Sequence, residues 1–236
     1  MEEPRVLYED NHILVAFKPA GFLSQADQTG KPDMLTWLKA DIKNRYQKPG
    51  YVFLGLVHRL DQPVSGVMVF ARTSKAAARL SEQIRQRALD KHYLAVVAHR
   101  PNPDAGRLED YLAKDPATRQ VRVCLPQQGQ FAALDYQVLA YDRDHDCSLV
   151  QIKLETGRNH QVRVQFASRG WPLLGDWRYG NLSSHVKKPA DNQPALFAQR
   201  LVFKHPTRDD LIDVALPLPD RSPWTYFNDT ISPARL

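Results

Sequence analysis

Residues 58–71 read HRLDQPVSGVMVFA, from His58 to Ala71, and their interpretation decides what the chain is. A basic pair, His58 and Arg59, leads through Leu60 to the carboxylate of Asp61. A polar turn, Gln62 to Gly66, separates this carboxylate from the apolar run Val67 to Ala71, which reads as a buried strand. Asp61 thus stands just ahead of a rigid element, with the Arg59 cation two residues before it. Scaffold elements hold reactive groups more precisely than free loops do. Taken alone, an Asp beside a turn is more often a turn former or cap, because its side chain bonds nearby backbone amides.

On the N-terminal side, Arg5 to Tyr8 and His12 to Phe17 have the character of two short strands around a polar Glu9-Asp10-Asn11 turn. Lys18-Pro19-Ala20-Gly21 then breaks the chain, since proline fixes φ and glycine permits positive φ. Pro32-Asp33 followed by Met34, Leu35, Leu38 and Ile42 predicts a capped amphipathic helix. On the C-terminal side, Thr73-Ser74 offers an N-cap to a helix from Lys75 to about Leu89, with an apolar stripe of Ala77, Leu80, Ile84 and Ala88. Its Arg79, Arg85 and Arg87 lie off the stripe, as a solvated face does in the commoner case and a phosphate-contacting face does in the other.

Lys91 to Val97 is a further strand, and one tyrosine within it, Tyr93, is by itself ordinary core packing. From Arg100 to Gln130 only a loop around Pro101, Pro103 and Gly106, a short strand Gln120–Leu125 and a turn at Pro126–Gly129 are legible. Phe131 to Tyr141 and Ser148 to Glu155 form a hairpin with a charged Asp142-to-Asp146 tip. Leu154 to Val164 is ambiguous: Val162 and Val164 alternate as in a strand, while Val162 and Phe166 are four apart and Gly170 would end a helix.

The 32 basic residues exceed the 26 acidic ones by six, and the excess is permissive for polyanion binding. The N-terminus is acidic, without the basic-then-apolar order of a secretory signal, and no apolar run approaches the ~20 residues of a membrane span. Two cysteines, Cys124 and Cys147, lack metal-type spacing and are too few for a disulfide framework. These features predict a cytoplasmic protein with reduced thiols and no membrane association. His58 and His160 have no third ligand at suitable spacing, so no metal is expected.

HRLD-x-x-[ST]-SG before an apolar strand is the signature of the RluA-type (RluA/RsuA) pseudouridine synthases, and residues 58–66 resemble it, with Val64 in place of the usual Thr. The resemblance runs from about Lys18 to Pro206. Residues 18–21 are similar to the KPxG element, and Lys91 to Val97 to KxYxAxV. Residues 156–165 resemble TGR-[ST]-HQ-[IL]-RVH, with Asn159 and Gln165 as departures. Residues 175–180 resemble GD-x-x-YG, and residues 196–206 resemble LxAxxLxFxHP with Phe197 where His is frequent.

The resemblance implies an α+β fold, a mixed and largely antiparallel bent sheet flanked by helices around a central basic cleft. It also implies a helix after Gly157, for which Asn159 would be a competent cap. The expected organisation is a single catalytic domain over 1–236, a monomer with no separate N-terminal RNA-binding domain and no protein partner. The implied activity is isomerisation of a uridine in ribosomal or transfer RNA to pseudouridine, with the nucleotide flipped from its stack and no cofactor.

In that scheme Asp61 is the catalytic group, acting as nucleophile or as base, Tyr93 stacks on uracil, and Arg163 orients Asp61. Arg59, His58, Lys18, Arg158 and His160 are the expected RNA contacts. Two rivals are weighed. A glycosidase-like hydrolase would want a second carboxylate across the scissile bond, and neither motif supplies one. A non-catalytic RNA-binding protein or chaperone on the same fold would have no use for the intact Asp61, Tyr93 and Arg163 set.

Overall fold

The structure is a computed structural model that describes residues 2–180 and 193–228. Its backbone divides into two compact units, one of residues 1–90 and 200–216, the other of residues 91–199 and 217–236.

In the first unit, β1 (Arg5–Glu9) and β2 (Ile13–Lys18) form a hairpin whose turn is held by Asp10. The Asp10 carboxylate accepts from the His12 and Ile13 amides at 2.7 and 2.9 Å, which is why a polar triplet sits there. β2 pairs antiparallel with β4 (Ser65–Ala71), from Ile13 opposite Ala71 to Lys18 opposite Gly66. Both strands are buried along their whole length. A two-residue strand, β3 (Gly55–Leu56), flanks the far end of β4.

Helix α1 (Met34–Arg45) starts as expected, with Asp33 accepting from the Thr36 amide at 3.0 Å and with Met34, Leu38 and Ile42 buried. Helix α2 (Ser74–Arg85) is capped by Thr73 but ends earlier than the sequence pattern suggests. Arg87 turns into the left-handed region at φ 58° and Ala88 is exposed, so the apolar spacing runs on past the helix itself. Leu89 is buried where the chain enters β5 (Asp90–Ala98). Arg79 donates to the Pro206 carbonyl and Arg85 pairs with Glu82, in keeping with a solvated helix face.

The second unit is an antiparallel array of β5, β6 (Ala105–Lys114), β7 (Val121–Cys124), β8 (Gln130–Asp142) and β9 (Cys147–Leu154), with helix α3 (Gln161–Ala167). β8 and β9 form the expected hairpin, and β5 pairs with β9, placing Tyr93 opposite Ile152. The ten-residue β6 is a correction to the loop reading. Its charged alternation buries little beyond Leu108 and Leu112, and the strand is imposed by eight residue pairs with β8.

β10 (Leu196–Lys204) crosses the unit boundary, and its residues from Arg200 to Lys204 pair antiparallel with β11 (Leu211–Ala215). Past Leu216 the proline-rich sequence by itself reads as poorly ordered; through Asn228 the segment is instead packed, with Trp224 and Phe227 each 1% exposed and Trp224 edge-on to Phe197. Residues 229–236 lie outside the described residues. Every ladder with a traced register is antiparallel, and strands outnumber the three helices among the described residues, so the fold is α+β.

Candidate active site

The residues singled out from sequence divide between the two units. Lys18, His58, Arg59 and Asp61 belong to the first; Tyr93, Arg158, His160 and Arg163 belong to the second.

Asp61 opens a tight turn closed by the Val64 amide, which donates to the Asp61 carbonyl at 3.0 Å. The turn is braced from the KPAG segment. Gly21, at φ +94°, directs its amide to the Gln62 carbonyl at 2.9 Å, and the Gln62 amide group returns a bond to the Gly21 carbonyl at 3.1 Å. That φ is one an L side chain rarely adopts, which accounts for glycine here. Ser24 takes both polar groups of Leu60, its hydroxyl donating to the carbonyl at 2.8 Å and accepting from the amide at 3.1 Å.

Lys18 is the centre of this brace. Its side chain is fully buried, and its ammonium donates to the carbonyls of Pro19 (3.1 Å), Gln62 (3.1 Å) and Val64 (2.7 Å). Three donors meet three acceptors, the full capacity of a lysine. Burial pushes its pKa down to about 7, while the charge of Asp61 pulls it back up. Lys18 was expected to touch RNA; its ammonium faces inward, under the Asp61 turn. His58 is likewise built in, its Nε2 accepting from the Val69 amide at 3.0 Å and so anchoring the HRLD segment to β4. Arg59 is exposed. Val64, the departure from the family's Thr, is 2% exposed and serves the turn through its backbone, so the missing hydroxyl leaves the brace intact.

In the second unit the helix implied by resemblance is present, but Asn159 does not cap it. The cap position falls on His160, at φ 53°, and Asn159 is exposed. Gln161 reaches backwards instead. Its side-chain oxygen accepts from the Arg158 amide at 3.0 Å and the Thr156 hydroxyl at 2.7 Å, and its amide group donates to the Ala133 carbonyl at 3.0 Å. Arg158 is half-buried and donates through Nε to the Phe131 carbonyl at 2.8 Å.

One turn into α3, Arg163 is 6% exposed and forms a two-pronged pair with Asp176, Nε to Oδ2 at 2.7 Å and Nη2 to Oδ1 at 2.8 Å. Asp176 is 1% exposed, and its Oδ1 also accepts from the amides of Arg178 and Tyr179. The guanidinium lies over the Tyr179 ring at 5.1 Å, and the Tyr179 hydroxyl meets His160 Nδ1 at 2.5 Å. Burial pushes the Tyr179 hydroxyl pKa up. Asp176 and Tyr179, which the GD-x-x-YG resemblance leaves without a role, hold Arg163 and His160. Gln165, a departure from the motif's His, is fully buried and donates to Asp110 at 2.8 Å, tying α3 to β6. Tyr93 is 8% exposed on β5. Among the described residues no group of three His, Cys, Asp or Glu side chains converges as metal ligands would.

The fold has a counterpart among solved structures: the chain superposes on human RNA pseudouridylate synthase domain containing 4 with a TM-score of 0.73, at 23% identity over 91% of this chain and 88% of that one. In sequence, residues 12–168 match the family described as RNA pseudouridylate synthase, so this chain belongs to that family and to its activity class, isomerases that convert uridine to pseudouridine in RNA. It is 36% identical over 202 residues to the dual-specificity RNA pseudouridine synthase RluA of Escherichia coli, covering 85% of this chain and 87% of that protein. It is 36% identical to the RNA pseudouridine synthase YhcT of Bacillus subtilis, over 91% of this chain. It is 33% identical to the ribosomal large subunit pseudouridine synthase D of Nitrosomonas europaea, over 92% of this chain. The chain spans 68% of the Bacillus protein's length and 62% of the Nitrosomonas protein's. No helix among the described residues is long and apolar enough to cross a membrane.

Proposed function

We propose that this chain isomerises a uridine of ribosomal or transfer RNA, with Asp61 as the catalytic carboxylate. The observation that carries the assignment is the brace around Asp61: a tight turn at the head of an all-buried strand, locked by Lys18, Gly21 and Ser24. A group held this way loses little entropy on reaching its reactive geometry.

The uracil leaves its ribose, rotates and rejoins through carbon 5, so the nucleotide is everted and its base stacked on Tyr93. Asp61 acts on the ribose as nucleophile or as base. Arg163, its guanidinium aligned by Asp176, is assigned the role of orienting the catalytic carboxylate. Arg59, Arg158 and His160 face the RNA, while His58 and Lys18 serve as positioning residues. The printed name of the Nitrosomonas relative, a ribosomal large subunit enzyme, supports ribosomal RNA as the first substrate to try.

The test is release of tritium from RNA labelled at uracil carbon 5. Wild type releases tritium; Asp61→Asn releases none and binds the RNA with nearly unchanged affinity. Substantial turnover by Asp61→Asn overturns the catalytic assignment. Free uracil in place of tritium release would make the chain a hydrolase, and neither product would make it a binding protein.

A further inference from the structure

One exposed stretch of the first unit takes no part in the brace. From Lys43 to Tyr51, KNRYQKPGY, every residue is exposed, and it leads out of helix α1. Two aromatic rings stand in it, Tyr46 at 50% and Tyr51 at 80% exposure.

The rings are set among cations. Tyr46 has the guanidinium of Arg45 at 5.2 Å, that of Arg72 at 5.5 Å and the Lys48 ammonium at 6.0 Å from its centroid. Tyr51 has the Lys39 ammonium at 5.2 Å from its ring and bonded to its hydroxyl at 3.2 Å. Lys39, Lys43 and Tyr46 are spaced i, i+4 and i+7 and so share one helical face. Glu9 and Asp41 neutralise part of this charge through Arg45 and Arg72. Lys39, Lys43 and Lys48 remain without a carboxylate partner among the described salt bridges, so the face is net positive. Cations that fix the plane of an exposed ring, with further cations beside it, are what a single strand of nucleic acid requires: a stacking surface for bases and charge for phosphates. A protein partner would find little apolar area here beyond the two rings.

We propose that Tyr46, Tyr51 and the lysines around them form an accessory binding surface for a single-stranded segment of the RNA substrate. Arg72, which contacts Tyr46, immediately follows β4, whereas the Asp61 turn precedes it. At ~3.3 Å per residue the seven residues of β4 separate the two sites by ~20 Å. At ~3.4 Å per nucleotide, that distance is about six nucleotides of strand. The surface therefore engages RNA well away from the reacting uridine. This inference rests on the RNA activity proposed above, and the test keeps the two apart.

The probe is a fluorescein-labelled 20-nucleotide RNA lacking uridine, read by anisotropy, so that no reacting base is present. The Tyr46→Ala/Tyr51→Ala double variant is expected to bind it at least about tenfold more weakly than wild type, the loss of one to two stacked bases. Asp61→Asn is expected to bind it as wild type does. In tritium release from a long RNA, the double variant should show a raised KM with unchanged kcat. On a short oligonucleotide confined to the target uridine and its immediate neighbours, it should match wild type. Equal affinity of wild type and double variant for the uridine-free probe overturns the proposal, as does an equal loss on long and short substrates. If wild type released no tritium from any RNA, the activity reading would fail while the anisotropy arm still judged the surface.

Discussion

Replacing Asp176 by Asn tests whether the buried carboxylate is what makes Arg163 usable. The two side chains are 1% and 7% exposed and share two bonds of 2.7 and 2.8 Å. Asn is isosteric and keeps an oxygen to accept from the Arg178 and Tyr179 amides. What it removes is the negative charge, leaving a guanidinium in the interior beside a neutral amide. Breaking one side of a buried ion pair costs about 3–5 kcal/mol, and the retained oxygen places Asp176→Asn near the lower end. The catalytic effect follows from geometry: a displacement of ~1 Å in a positioning group lowers rates by about 100-fold.

The expected outcome is a loss of about 3 kcal/mol in urea unfolding and a fall of about 100-fold in kcat for tritium release, with KM for RNA little changed. Arg163→Lys, which removes the planar fork from the other side, should lose activity similarly. The double variant should lose far less than the product of the two single effects, because both remove the same interaction. If Asp176→Asn unfolds within about 0.5 kcal/mol of wild type and turns over at the wild-type rate, the pair does not position Arg163 and the argument is wrong.

Three further outcomes follow from other parts of the molecule. Lys18 has a folded pKa of about 7 against an ordinary 10.5, so between these values the unfolded chain holds a proton that the folded one has released. Stability therefore gains as pH rises through that window, by up to roughly 1.4 kcal/mol per pH unit. The wild-type advantage over Lys18→Met in urea unfolding should accordingly widen from pH 6 to pH 9; a constant difference would mean Lys18 titrates normally. Trp224→Ala, in the segment read from sequence as loose, should cost about 3–5 kcal/mol, since it empties a fully buried indole site against Phe197. A cost below about 1 kcal/mol in guanidinium unfolding would show that segment to be marginal. His58→Ala should destabilise the HRLD segment by about 1–3 kcal/mol by orphaning the Val69 amide, whereas Arg59→Ala should leave unfolding unchanged and weaken RNA binding in anisotropy.

The family and its candidate catalytic groups were legible in the sequence because they reside in contiguous motifs. HRLD with its apolar strand, the KPAG break, the tyrosine of β5 and TGRNHQ each carry their information within about ten residues of chain. Local rules also sufficed for both long helix caps, Asp33 and Thr73, and for the β8–β9 hairpin. Tertiary structure decided the remainder, and always where a residue's role depends on a partner distant in the chain. Lys18 and Gln62 are 44 positions apart, so nothing local distinguishes a lysine that meets RNA from one that braces the turn beneath Asp61. Arg163 and Asp176 are 13 positions apart, and Gly175, just before the aspartate, takes φ +76°, so no local pattern announces the pair. β6 shows the same logic in the backbone, since its polar alternation becomes a strand only when β8 offers a ladder. Local pattern specifies which side chains are present and what each could do; long-range hydrogen bonds and burial determine which of those capacities is exercised.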